Sequence, residues 1–227
     1  PDRPITIAKY YAMCEWFDAT CGQVIDHLEE KGVRDNTLIV YLTDNGWIQN
    51  PEARGYAPRS KQTPFEGGVR TPIMYSWPAA LKPADRPELA SSIDIYPTIL
   101  SAAGVEVTSK LPGLDLLPAM RTAKPIERDQ IFGEGFAHDV ADVDRPEASL
   151  LYRWTIRDRW KLILTYDGEI NRYKSTHPRD DAGPKLYDLD ADPAEQTNLA
   201  SEHPSVVNEL FKSIADWYPL KERVVMQ

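Results

Sequence analysis

Apolar residues recur at intervals of three and four from Ile5 to about Glu30, through Ile7, Tyr10, Tyr11, Cys14, Phe17, Cys21, Val24, Ile25 and Leu28. That spacing predicts one face of a long helix, and Gly32 supplies its stop. The pattern then changes. Thr37 to Leu42 is a short, almost continuous run of β-branched, aromatic and aliphatic side chains, which predicts a buried strand. Unbroken apolarity of this kind suits a parallel sheet covered on both faces. The run ends abruptly in Asp44, Asn45 and Gly46, at the carboxyl end of the strand, where open α/β sheets gather their ligands. Gly46 lets the backbone turn sharply there.

Residues 47 to 65 have no periodicity and carry Pro51, Pro58 and Pro64, so they read as a long loop over the strand end. Ile73 to Trp77 predicts a second buried strand closed by Pro78. Ile93 to Ala103 predicts a helix capped by Ser91 or Ser92 and stopped by Gly104. From about Gln130 the signals become short strands: Gln130 to Gly135, Leu150 to Arg157, Trp160 to Tyr166 and Lys185 to Leu189. Asp158-Arg159 joins two of them as a hairpin turn, although Arg is a poor substitute for Gly at the second position. His203 to Trp217 closes the pattern as an amphipathic helix. The chain therefore divides near residue 125, into an α/β part (1–125) and a small antiparallel sheet with a helix (126–227).

With 227 residues the chain can bury a sizeable core. Its 26 Lys and Arg stand against 35 Asp and Glu, a net −9 that argues against nucleic acid or an anionic membrane as the main partner. No apolar run approaches the roughly 18 residues of a membrane span. Residues 51 to 70 run the other way, with Arg54, Arg59, Lys61 and Arg70 against Glu52 and Glu66, so an anion site there would be local. Ordinary solvated loop charges account for the same composition.

Asp44 and Asn45 offer a carboxylate and an amide oxygen, donors suited to a hard cation, Ca²⁺ or Mg²⁺, rather than zinc. Two ligands do not hold a metal, and Asp-Asn-Gly is also a common turn. Lys61 is a compact ammonium able to stabilise an oxyanion, or a solvated surface charge. Among the histidines, His138 follows Gly-Phe-Ala and is placed to line a pocket. Cys14 and Cys21 lie about 10.5 Å apart along the helix at 1.5 Å per residue, so they cannot pair with each other and read as buried thiols.

Three blocks in order carry a resemblance: Asp35 to Gly46 (Asp-Asn-Thr-Leu-Ile-Val-Tyr-Leu-Thr-Asp-Asn-Gly), Lys61 to Pro72 (Lys-Gln-Thr-Pro-Phe-Glu-Gly-Gly-Val-Arg-Thr-Pro), and Leu186 to Pro193 with Asn198-Leu199. Asp94 to Leu100 and Leu111 to Pro118 fit between them. Together they resemble the formylglycine-dependent sulfatases of the alkaline phosphatase superfamily, over the carboxyl-terminal half of a typical member. The resemblance implies a mostly parallel sheet sandwiched between helices, followed by a small antiparallel sheet with a carboxyl-terminal helix. It implies a sulfuric ester hydrolase acting on a sulfated carbohydrate or aryl sulfate, in a periplasmic or secreted setting. It also implies that Asp44 and Asn45 are two ligands of one Ca²⁺, ahead of Mg²⁺, and that Lys61 grips the sulfate and its leaving oxygen. His138, from its place after Gly-Phe-Ala alone, is a further candidate substrate contact.

The departures are specific. The family's nucleophile, converted to formylglycine, lies in Cys/Ser-x-Pro-x-Arg, and neither Cys14-Glu-Trp-Phe-Asp nor Cys21-Gly-Gln-Val-Ile fits it. The family's paired amino-terminal aspartates also have no counterpart. The chain is therefore expected to need a missing amino-terminal half of the same protein and to be inactive alone. Two other readings stay open. One is a phosphodiesterase or phosphonate hydrolase of the same superfamily, against which Asn45 counts because His commonly follows the strand-end Asp there. The other is a non-catalytic module that binds sulfated glycans.

Overall fold

The computed structural model describes residues 4–106, 109–122, 124–137, 142–166 and 183–220. In chain order the elements are α1 (Ile5–Glu30), β1 (Ile39–Leu42), α2 (Glu66–Val69), β2 (Ile73–Ser76), α3 (Ile95–Ala102) and α4 (Leu117–Thr122). Then come β3 (Gln130–Phe136), β4 (Leu150–Arg157), β5 (Trp160–Thr165), β6 (Lys185–Asp188) and α5 (Pro204–Trp217). They fall into two compact units. The first comprises residues 1–44, 49–57 and 71–128, and the second 45–48, 58–70 and 129–227. Two stretches from the first half of the sequence, one beginning at Asn45 and one containing Lys61, thus group with the second unit.

In the first unit, α1 has the predicted extent, and its end is chemically defined. Gly32, at φ 68°, donates its N–H to Glu29, and Val33 donates to Leu28, a paired C-terminal cap that needs a left-handed residue. The same pair recurs after α3, where Gly104 donates to Ser101 and Val105 to Leu100. The apolar stripe of α1 is not buried, however: Tyr11, Phe17 and Val24 are exposed, and no residue of the helix is fully buried. Cys14 is exposed and Cys21 half-exposed, which corrects the expectation of two buried thiols. Periodicity reports which residues share a face and is silent on what covers that face.

β1 pairs antiparallel with β2, Ile39 opposite Ser76 and Leu42 opposite Ile73, where the apolar run predicts parallel neighbours covered on both sides. An apolar run encodes burial, and strand direction depends on a partner far away in sequence. The centre of polar satisfaction in this unit is Asp94. Fully buried, it accepts from Arg128 Nη1 at 2.5 Å and Nη2 at 2.7 Å, and from the Ser91 and Leu114 N–H groups at 2.8 Å. A buried carboxylate is tolerable only when paired and hydrogen-bonded in this way.

The second unit is built on the antiparallel sheet β3-β4-β5-β6. Leu150, Leu162, Leu164, Tyr166 and Leu186 pack with Leu210 and Ile214 of α5, all essentially without solvent exposure. In the β4–β5 turn the left-handed residue is Asp158, at φ 51°, so Arg159 needs no such conformation and is free to pair with Asp188. Gly133 in β3 sits opposite Trp154 in β4, and Gly135 opposite Tyr152. A Cβ on Gly133 would stand 2.3 Å from the Trp154 ring, so this glycine is what lets the indole lie over the edge strand.

Candidate functional site

Asp44 belongs to the first unit and is exposed just beyond β1. Asn45 and Lys61 belong to the second unit. Asn45 turns its amide NH₂ to the Gly46 carbonyl at 2.9 Å, which leaves Oδ1 as its acceptor. It lines a cavity of about 240 Å³ together with Gln62, Thr63, Glu134, Tyr152 and Trp154. Lys61 adjoins this wall in sequence but is not part of the lining; its Nζ lies 5.8 Å from the centroid of the Trp47 ring. His138 falls outside the described residues.

The segment around Lys61 is closed on itself by backbone contact. The Ile48 N–H donates to Ser60 Oγ at 2.6 Å, Thr63 Oγ1 donates to the Ser60 carbonyl at 2.6 Å, and the Gly46 N–H donates to Gly68 at 2.8 Å. A Cβ on Gly67 would meet the Arg59 oxygen at 2.4 Å, and one on Gly68 the Ser60 oxygen at 2.4 Å, so the chain returns against itself where only glycine fits. Arg59 (φ 57°) and Gln62 (φ 66°), on either side of Lys61, are both left-handed non-glycine residues. Such conformations cost energy and persist where the surroundings enforce them.

Electrostatics concentrate on two acidic groups that the sequence reading passed over. Burial pushes the Glu134 carboxyl above the usual carboxylate range, with the Arg153 guanidinium pulling the other way. Glu195 is buried, and desolvation raises its carboxyl against the opposing attraction of Lys161. The signal for Lys161 was a single charge inside the otherwise apolar run Trp160 to Leu164; Glu195 lies in the gap between two blocks of the resemblance.

For a divalent cation the donor type fits: Asp44 and the Asn45 Oδ1 are hard oxygen ligands of the kind Ca²⁺ prefers. Two such donors fall short of the roughly six to eight oxygens that Ca²⁺ takes. Among the described residues no group of three or more His, Cys, Asp or Glu is arranged to hold a metal.

Residues 59–218 match the family model described as N-sulphoglucosamine sulphohydrolase, C-terminal, and residues 5–105 match the one described as Sulfatase. The chain belongs to the sulfatase family. This sulfatase chain is similar to a sulfatase of Formosa agariphila, 28% identical over 217 aligned positions that cover 88% of this chain and 36% of that protein. It is similar to arylsulfatase K of Xenopus laevis, 27% identical over 209 residues, 91% of this chain and 36% of that protein. In structure it resembles a protein solved in complex with its substrate D-glucosamine-2-N,6-O-disulfate, with a TM-score of 0.66 and 26% identity over 88% of this chain and 37% of that one. The fold is thus the α/β fold of the alkaline-phosphatase-like sulfatases, and the chain spans about a third of the length of the curated relatives it matches. No helix among the described residues is long and apolar enough to cross a membrane.

Proposed function

We propose that the protein containing this chain hydrolyses sulfate esters on a carbohydrate, and that these residues supply the metal-binding and sulfate-binding side of the reaction. The observation that carries this reading is the cavity beside Asn45 in a chain that belongs to the sulfatases. Its lining joins a hard oxygen donor to two half-exposed aromatic rings, Tyr152 and Trp154, the mix of convergent polar groups and flat apolar surface that suits a sugar. Asp44 and Asn45 would hold Ca²⁺, which when bound withdraws charge from the sulfate oxygens. Lys61 would set its ammonium against the charge that builds on the departing oxygen.

Neither Cys14 nor Cys21 lies in the family's nucleophile pattern, so the attacking group is not assigned to this chain, and the formylglycine that the family implies would come from elsewhere in the protein. The chain alone should then bind without turning over, because charge stabilisation without an activated nucleophile leaves the covalent step undone.

The test compares a sulfated N-acetylhexosamine, an aryl sulfate and a phosphonate monoester as substrates of the protein containing this chain, with calcium measured in parallel. Preference for the sulfated sugar, lost with the calcium in Asp44→Ala, is the expected result. Preference for the phosphonate, or full calcium occupancy in Asp44→Ala by elemental analysis, would overturn the substrate or the metal assignment respectively.

A further inference from the structure

Lys161 is completely buried in β5, yet the proposed chemistry does not use it. Its Nζ donates to Glu66 Oε1 at 2.8 Å and lies 3.0 Å from Glu195 Oε1, the latter an ion-pair approach without a directed hydrogen bond. Glu195 also accepts the backbone N–H of Glu66 on Oε2 at 2.5 Å, and its carbonyl accepts from Arg59. One acidic residue therefore holds both ends of the closed segment that carries Lys61, Arg59 on one side and Glu66 on the other. The guanidinium of Arg59 lies 4.6 Å over the Phe65 ring, which meets Tyr187 of β6 edge-on at 6.1 Å. Glu195 is itself left-handed, at φ 55°, so three of the four left-handed non-glycine residues among the described residues, Arg59, Gln62 and Glu195, belong to this one assembly.

We infer that Lys161 and Glu195 are positioning residues: they latch residues 59–68 onto the small sheet and so fix where Lys61 presents its ammonium. The inference rests on the reading of Lys61 given above for its catalytic consequence and on the geometry alone for the latch. A surface loop with ordinary charges would need no buried cation beneath it. Burying a lysine is costly unless the pairing is complete, and here its partners are the carboxylate of the segment to be held and the carboxylate that receives that segment's backbone. The small sheet acquires a role through this contact: it is the platform on which the sulfate-facing loop is set.

Lys161→Met leaves the carboxylates of Glu66 and buried Glu195 without the cation between them. Adding Glu195→Gln restores charge balance and still offers an acceptor to the Glu66 N–H. In the protein containing this chain, the double variant should recover thermal stability relative to Lys161→Met. Its kcat on a sulfate ester should stay about tenfold or more below wild type with a smaller change in KM, as expected when a catalytic group is displaced rather than lost. Amide exchange at Glu66 to Arg70 should be faster in both variants. Recovery of kcat together with stability would make the cluster merely structural and overturn the positioning role, and unchanged exchange at those amides would overturn the latch itself. Lys61→Ala, measured alongside, keeps the two readings apart: wild-type turnover in that variant refutes the role of Lys61, while the exchange result decides the latch.

Discussion

Gly46 donates its backbone N–H to the Gly68 carbonyl at 2.8 Å, and the two strands of chain pass so closely that a Cβ on Gly46 would stand 2.2 Å from the Gly67 oxygen. The glycine is required for that approach and not for a left-handed turn, since its φ lies outside the left-handed region. Gly46→Ala must therefore push backbone from backbone, where no flexible side chain can yield. A loss of about 1–3 kcal/mol is expected, the usual cost of overpacking a tight site. Denaturant unfolding of the variant checks this, and wild-type stability would mean that the contact opens at no cost.

Asp94 offers a second stability test. Removing its carboxylate in Asp94→Ala strands the Arg128 guanidinium, which is only 10% exposed, and leaves the Ser91 and Leu114 N–H groups without their acceptor. Breaking a buried pair from one side costs about 3–5 kcal/mol. A measured loss below about 1 kcal/mol would show that water replaces the carboxylate.

Much of this architecture is local and was legible. Gly32 and Gly104 end their helices through paired caps that need only nearby residues, and β4 runs from Leu150 to Arg157 as its short strand signal predicts. The Asp44-Asn45-Gly46 tip and the Lys61 block stood out for the same reason, as short strings of chemically distinctive residues. The rest depends on distant partners. Lys161 reads as a misplaced charge until Glu66, 95 residues earlier, is found against it. The contact between Glu66 and Glu195 spans 129 residues, and nothing in either neighbourhood announces the other. The antiparallel pairing of β1 with β2 and the incomplete burial of the apolar face of α1 escaped prediction on similar grounds, because sequence pattern records which side chains want cover and not what supplies it.

The raised carboxyl of Glu134 gives a pH prediction whose sign is set by desolvation. With its folded pKa above the ordinary 4.5, the folded protein holds this proton more tightly than the unfolded chain does. The group's contribution to stability is therefore fully present below the ordinary value and is lost as pH rises through the folded one. Glu134→Gln is uncharged throughout and escapes that loss. The Tm of the variant relative to wild type should therefore rise between about pH 4 and about pH 7. A difference independent of pH would mean that the attraction of Arg153 cancels the effect of burial.

Lys61 separates catalysis from stability more cleanly than the other residues. Its Nζ lies 5.8 Å from the centroid of the Trp47 ring, and for a half-buried cation such a contact is worth about 0.5–2 kcal/mol, so Lys61→Ala should cost the fold no more than that. If the ammonium meets the charge developing on the leaving oxygen, the same change should lower kcat by about 10²- to 10³-fold, the range seen when one preorganised donor to an oxyanion is removed. Lys61→Arg keeps the charge but replaces a compact ammonium with a planar fork, on a backbone held between left-handed Arg59 and Gln62 that cannot shift to re-aim it. Recovery in Lys61→Arg should therefore be incomplete. Turnover of a sulfate ester by the two variants, beside their melting temperatures, decides the matter: normal turnover in Lys61→Ala would make Lys61 a surface cation, and parallel losses of turnover and Tm would make it a structural one.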